Sequence, residues 1–147
     1  MRPAATVKDL EALSTEAEAL VGSLLPKETG ATLVTLSGDL GAGKTSFTQA
    51  VARALGVTEH VTSPTFVLAK SYALPEGLTF RELLHIDAYR LTEGKDLMPL
   101  GFFEAMEDTG TLVFLEWPEI VADTLPKPDV IVSLVANEDG SRTITYA

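Results

Sequence analysis

A chain of 147 residues with 21 acidic against 11 basic side chains, a formal net charge of −10, has the length of one domain spanning 1–147, because domains cluster at about 100–150 residues. Hydrophobic residues at 46% and charged residues at 22% are globular proportions and exclude an intrinsically disordered chain. The lack of cysteine excludes disulfides, thiolate metal sites and a cysteine nucleophile, and the acidic balance opposes unaided binding to a nucleic-acid backbone.

In chain order, a short strand is expected around residues 9–13. Thr15-Glu16-Ala17-Glu18 has capping-box spacing, with Thr15 as N-cap and Glu18 reaching back. Ala17, Leu20, Val21, Leu24 and Leu25 then share a helical face that Pro26 terminates. Residues 31–36, rich in β-branched and apolar side chains, read as a buried parallel strand running into a glycine loop. Residues 45–55 show helical spacing at Phe47, Ala50, Val51, Ala54 and Leu55, with Gly56 as the C-cap.

Further along, residues 66–72 and 79–86 read as strands joined by the turn residues Pro75-Glu76-Gly77. The segment 91–106 is expected to be helical in parts, broken near Gly94 and at Pro99-Leu100-Gly101, with Phe102, Phe103 and Met106 in the core. Residues 111–115 form a second buried strand, and 130–135 with 142–146 flank Asp139-Gly140 as a hairpin. Strands alternating with helices predict an α/β protein with a mainly parallel central sheet flanked by helices, plus antiparallel additions. No stretch reaches the ~18 consecutive apolar residues of a membrane span, and the N-terminal residues lack the apolar run of a signal peptide. A cytoplasmic protein without a membrane partner is therefore expected.

Gly38-Asp39-Leu40-Gly41-Ala42-Gly43-Lys44-Thr45 matches G-x-x-x-x-G-K-[ST] in full. Its glycines allow successive backbone N–H groups to face anionic oxygens. Lys44 supplies a charge toward the β- and γ-phosphates, the Thr45 hydroxyl is placed to ligate Mg²⁺, and the following helix adds its N-terminal dipole. A buried strand before the motif and an amphipathic helix after it distinguish it from a chance glycine-rich turn. Such a site needs an acid on a neighbouring strand to order Mg²⁺ or the attacking water. Glu116, at the end of Leu112-Val113-Phe114-Leu115, has that position, against the alternative of a solvent-facing strand-end acid.

Asp87 is a second candidate for the metal shell and equally a turn residue. His85, between apolar neighbours, reads as a packed and hydrogen-bonded histidine sharing a strand face with Asp87. Thr62-Ser63-Pro64-Thr65 is either a switch-type loop sensing the γ-phosphate or a polar loop braced by proline. Trp117 is either a cover over the nucleotide or a core-edge residue.

The P-loop, Ser63-Pro64-Thr65-Phe66, His85-Ile86-Asp87-Ala88-Tyr89-Arg90-Leu91 and Glu116-Trp117-Pro118-Glu119 occur in that order. Together they resemble the TsaE family, the bacterial ATPase component of the machinery that makes threonylcarbamoyladenosine in tRNA, over about residues 15–135. The resemblance implies a slow P-loop ATPase that binds ATP and Mg²⁺ and acts with TsaB and TsaD. It would reset that complex between turnovers, while TsaD transfers the threonylcarbamoyl group beside the anticodon. It further implies nucleotide contacts from Asp39, Leu40, Gly41, Ala42, Gly43, Lys44, Thr45 and Ser46, with Trp117 near the nucleotide. Thr45, Asp87 and Glu116 would serve the metal site, Glu116 would stand next to the hydrolytic water, and Thr65 would be a switch-loop residue. Ser46 stands where family members often have a second threonine and retains the hydroxyl.

Two other functions fit a P-loop. A small-molecule kinase needs an acceptor pocket and usually an arginine-bearing lid, yet Arg81 and Arg90 are the only arginines between Arg53 and Arg142. A nucleotide-binding regulatory module without turnover is a third reading, one that the acids Glu116 and Asp87 argue against. Contact with tRNA is expected only indirectly, through the partner complex.

Overall fold

The computed structural model describes residues 2–39, 41–59 and 68–147. Seven strands among them form one sheet: β1 (Ala5–Val7), β2 (Thr32–Ser37), β3 (Ala69–Ala73), β4 (Glu82–Asp87), β5 (Thr111–Glu116), β6 (Val130–Ala136) and β7 (Arg142–Tyr146), in the order β1-β7-β6-β2-β5-β4-β3. The central β6, β2, β5 and β4 are mutually parallel, while β3, β7 and β1 join antiparallel at the edges. The α/β class with a mainly parallel sheet and antiparallel additions is the fold observed.

Alternation along each strand divides the core between two faces. Val34 and Leu36 of β2, Leu83 of β4, and Leu112 and Phe114 of β5 pack with the helices α1 (Leu10–Ser23) and α2 (Lys44–Ala54). Leu33, Leu84, Ile86, Val113 and Leu115 face the other way, onto a 3-10 helix over Gly94–Leu100, the short α3 (Phe102–Ala105) and a 3-10 turn over Pro118–Val121. Complete burial of a side chain such as Phe114, 0% exposed, stabilises the fold by about 1.5–3 kcal/mol. The same alternation puts His85, Asp87 and Glu116 on the α2 face, because they fall between Leu84, Ile86 and Leu115 on the other.

α1 begins earlier than its capping-box pattern suggests. The N-cap is Asp9, whose Oδ1 accepts from the Ala12 amide at 2.8 Å, and residues 10–13 are helical where a strand is expected. Thr15 lies inside the helix, its hydroxyl donating to the Glu11 carbonyl at 3.1 Å, so it caps nothing. The strand near this end is β1, just upstream. The helix also stops before Pro26: it ends at Ser23 with Leu24 as C-cap, leaving Leu25 exposed.

The α2 helix starts at Lys44, and Gly56 lies one residue past the Leu55 cap in the left-handed region, φ 88°. β3 and β4 pair antiparallel, with Ala69 opposite Ile86 and Ala73 opposite Glu82; Phe66 and Val67 of the expected first strand lie outside the described residues. In the 91–106 segment the 3-10 helix runs through Pro99 and breaks at Gly101, φ 80°. Pro99 is tolerated there because its missing N–H removes one bond from a short element. Phe102 is fully buried, and Phe103 and Met106 pack against it partly exposed. No helix among the described residues is long and apolar enough to cross a membrane.

Candidate functional site

The chain order sets the site's position. From β2 the chain crosses to the edge strand β3, steps back through β4 to β5 beside β2, and then places β6 on the other side of β2. The strand order thus reverses direction next to β2, and ligands of open α/β sheets bind outside strand C-termini at such a switch point. The glycine loop leaves β2 at that point.

The loop is held from three sides. Gly43, at φ 100°, and Gly41, at φ 81°, occupy the left-handed region that a β-carbon disfavours, and Gly43 is the N-cap of α2. Arg142 of β7 donates from Nε to the Ala42 carbonyl at 3.1 Å and from Nη2 to that of Gly41 at 3.4 Å. Gly38 passes so close to β6 that a β-carbon there would stand 2.6 Å from the Leu134 carbonyl oxygen. Gly38→Ala is therefore expected to lower stability by about 1–3 kcal/mol, the cost of forced overpacking. Urea denaturation of the two proteins measures it; equal stabilities would mean that the approach is not constraining.

Lys44 is 6% exposed, a burial that is costly for an ammonium without partners. Its Nζ donates to the carbonyls of Gly38 and Asp39 and lies 4.4 Å from the centroid of the Trp117 ring, a cation–π contact. Trp117 has a left-handed backbone, φ 60°, unusual for a bulky residue and a local strain of order 1–3 kcal/mol. Its amide donates to the Leu36 carbonyl at 3.2 Å, and its ring packs against Tyr89 at 5.0 Å. Trp117 is thus both a core-edge residue and a cover over the loop lysine.

The sheet register then brings two carboxylates together. Glu116 stands opposite Leu36 of β2 on one side and Asp87 of β4 on the other. Glu116 is 2% exposed, and its Oε2 accepts from His85 Nε2 at 2.6 Å. Asp87 is half-buried and closes a turn, its Oδ1 accepting from the Tyr89 amide at 3.0 Å. Burial pushes the Asp87 carboxyl above its ordinary pKa against the pull of the Tyr89 amide. The neighbouring Glu116 pushes the same way, and His85 and Lys44 oppose it. Two adjacent acids at strand ends, one of them made reluctant to ionise, suit a divalent cation whose charge offsets both penalties. The half-buried Thr45 lies in the first turn of α2, which starts from the glycine loop. This oxygen donor set fits Mg²⁺, which binds through one or two protein carboxylates and completes its shell with phosphate oxygens and water.

Asp39, Gly41, Ala42, Gly43, Lys44, Thr45, Ser46, Trp117, Asp87 and Glu116 therefore gather at one end of the sheet. Leu40 and Thr65, with the loop Thr62-Ser63-Pro64, lie outside the described residues. Three contributors were not singled out by sequence reasoning: Arg142 as a brace of the loop, His85 as a partner of Glu116, and the β1–α1 junction. The junction forms a recess beside the loop lined by Val7, Leu10, Leu13 and Leu134, with Ser46 and Arg142 at its edge. Leu10, 69% exposed, is the sequence signal that was available, an apolar side chain directly after a helix N-cap and pointing away from the core.

Comparison with known proteins identifies the family and a structural neighbour. The family model described as threonylcarbamoyl adenosine biosynthesis protein TsaE matches residues 7–144. A protein of Treponema pallidum (strain Nichols) named tRNA threonylcarbamoyladenosine biosynthesis protein TsaE is 42% identical over 128 residues, covering 87% of this chain and 88% of the relative. A Bacillus subtilis (strain 168) protein of the same name is 36% identical over 114 residues, 78% of this chain and 68% of the relative. Among solved structures, the crystal structure of Bacillus subtilis YdiB superimposes with a TM-score of 0.72 at 27% identity, covering 98% of this chain and 83% of that one.

Proposed function

The chain belongs to the TsaE family, and from that premise we propose that it binds ATP with Mg²⁺, hydrolyses it slowly, and uses the cycle to drive or reset a TsaB–TsaD complex during threonylcarbamoyladenosine modification of tRNA beside the anticodon. It does so as one P-loop domain over residues 1–147 in the cytoplasm. The observation that carries this reading is the convergence of Lys44, Asp87 and Glu116 around a braced glycine loop at the sheet's switch point.

In this reading the N–H groups around Gly41 and Gly43 and the N-terminus of α2 receive the phosphates. Lys44 exchanges its loop carbonyls for β- and γ-phosphate oxygens, and the recess at Leu10 and Leu134 takes the base. Thr45 and Asp87 would hold Mg²⁺, which would supply charge neutralisation for the phosphates. Glu116 orients the attacking water and accepts its proton. Thr65 adds a hydroxyl from the switch loop. The acidic surface, −10 overall, leaves tRNA to the partners, since counterion release needs several well-placed bases.

Phosphate release measured with and without TsaB and TsaD, beside tRNA binding by the chain alone, tests the proposal. The expected result is slow hydrolysis stimulated by the partners and negligible tRNA binding at physiological salt. Turnover indifferent to the partners, or tight tRNA binding by the isolated chain, would overturn the assignment of its role.

A further inference from the structure

His85 is the middle of β4, 0% exposed and in register with Phe114, a position that an apolar side chain would fill without desolvating two ring nitrogens. Its Nδ1 has no hydrogen-bond partner among the described residues. Among the described residues the ring makes one hydrogen bond, between Nε2 and Glu116 Oε2, 2.6 Å long. A carboxylate accepts, so the ring hydrogen sits on Nε2 and the unpartnered Nδ1 is the bare nitrogen, the cheaper atom to leave without a partner. The polarity of this buried residue is thus spent on a single oxygen of Glu116. That carboxylate, in turn, has no other side-chain partner recorded among the described residues.

We infer that His85 is a positioning residue for Glu116: its Nε2–H holds Oε2 so that the remaining carboxylate oxygen faces the phosphate loop in one orientation. The inference rests on the proposed role of Glu116 as the acid acting on the attacking water. A base oriented by a third group recurs wherever a proton must be taken in a fixed direction. A carboxylate on a strand end, with two torsions beyond its β-carbon, needs such a restraint to stay within the narrow geometry that catalysis demands. The rest of the shell does not supply it, because the Ala88 amide, donating to the Glu116 carbonyl at 3.1 Å, fixes the main chain and leaves the side chain to His85.

Four variants test this in steady-state hydrolysis with partners present, alongside nucleotide affinity by calorimetry. His85→Leu keeps the volume and removes the donor; turnover is expected to fall roughly 10–100-fold, as when a supporting hydrogen bond is lost around a reactive site, with KM and nucleotide affinity unchanged. His85→Gln places an amide N–H where Nε2 stands and is expected to restore most of the turnover. His85→Asn, whose amide falls one methylene short, is expected to behave like His85→Leu. In the Glu116→Gln background, His85→Leu is expected to add no further loss.

Wild-type turnover in His85→Leu or His85→Asn, beside an inactive Glu116→Gln, overturns the inference and leaves the role of Glu116 intact. Losses that multiply in the double variant, or that appear equally in affinity, make His85 merely structural and overturn it too. If Glu116→Gln itself hydrolyses like the wild type, the reading of the site fails and this inference with it. Should His85→Leu not fold, the contrast between His85→Gln and His85→Asn decides alone.

Discussion

Lys44→Ala is expected to weaken ATP binding by about a hundredfold or more, because at least two charge-assisted contacts of about 1.5–3 kcal/mol each are removed from the phosphates. The structure makes this lysine different from an exposed one that happens to follow a glycine. Its ammonium is 6% exposed, bonded to the carbonyls of Gly38 and Asp39, and covered by Trp117. The same substitution therefore also unties the two ends of the loop from each other. Titration calorimetry on a variant shown to be folded by circular dichroism measures the effect. Unchanged affinity would falsify the assignment of the loop as the phosphate site.

Glu116→Gln separates binding from chemistry. The amide keeps the shape of the carboxylate and still offers an oxygen to His85 Nε2, so ATP affinity and stability are expected to be close to wild type. Loss of the group that takes the water's proton is expected to reduce hydrolysis by about 10²–10⁴-fold. Asp87→Asn differs in kind: its main defect is expected in the Mg²⁺ concentration needed for activity, since it removes charge from the metal shell. Phosphate release at saturating ATP, repeated across Mg²⁺ concentrations, distinguishes the two acids. Hydrolysis at the wild-type rate in Glu116→Gln would reduce that residue to a buried structural acid.

The parts of this site that were legible in the sequence are those encoded within a few consecutive residues. The strand–loop–helix around Gly38–Thr45 and the acid ending an apolar run at Glu116 depend on local periodicity and on residue type, which survive folding unchanged. Adjacency was not legible. That Asp87 stands beside Glu116 follows from β4 lying next to β5, a consequence of strand order rather than of chain order. Arg142 reaching Ala42 across 100 residues carries no local signal at all, and neither does the bond from His85 to Glu116, although the shared face of His85 and Asp87 was readable from alternation.

The start of α1 was misread for a different reason. Thr15 and Glu18 have the right spacing for a cap, but Asp9 and the amide of Ala12 have it as well. A threonine can equally bond backward to the preceding turn, as Thr15 does to Glu11. The exposed Leu10 then blurs the apolar face that would have marked the earlier boundary.

Arg142 also ties the phosphate loop to the timing of folding. It sits where β7 meets both Val7 of β1 and Ala136 of β6, and β1 reaches β7 through the least local pairing in the sheet, Ala5 with Ile144. Closing so long a stretch of chain costs entropy before any contact rewards it. The local β6–β7 hairpin, which carries Arg142, is therefore expected to form before the β1–β7 edge pair. In the native protein the order reverses. An edge strand of three residues, β1, is expected to open at lower free energy than the buried centre, and the recess lined by Val7, Leu10 and Leu134 opens with it while β2, β5 and β4 stay paired. Amide exchange at Thr6 and Val7 is then a gauge of how often that recess opens.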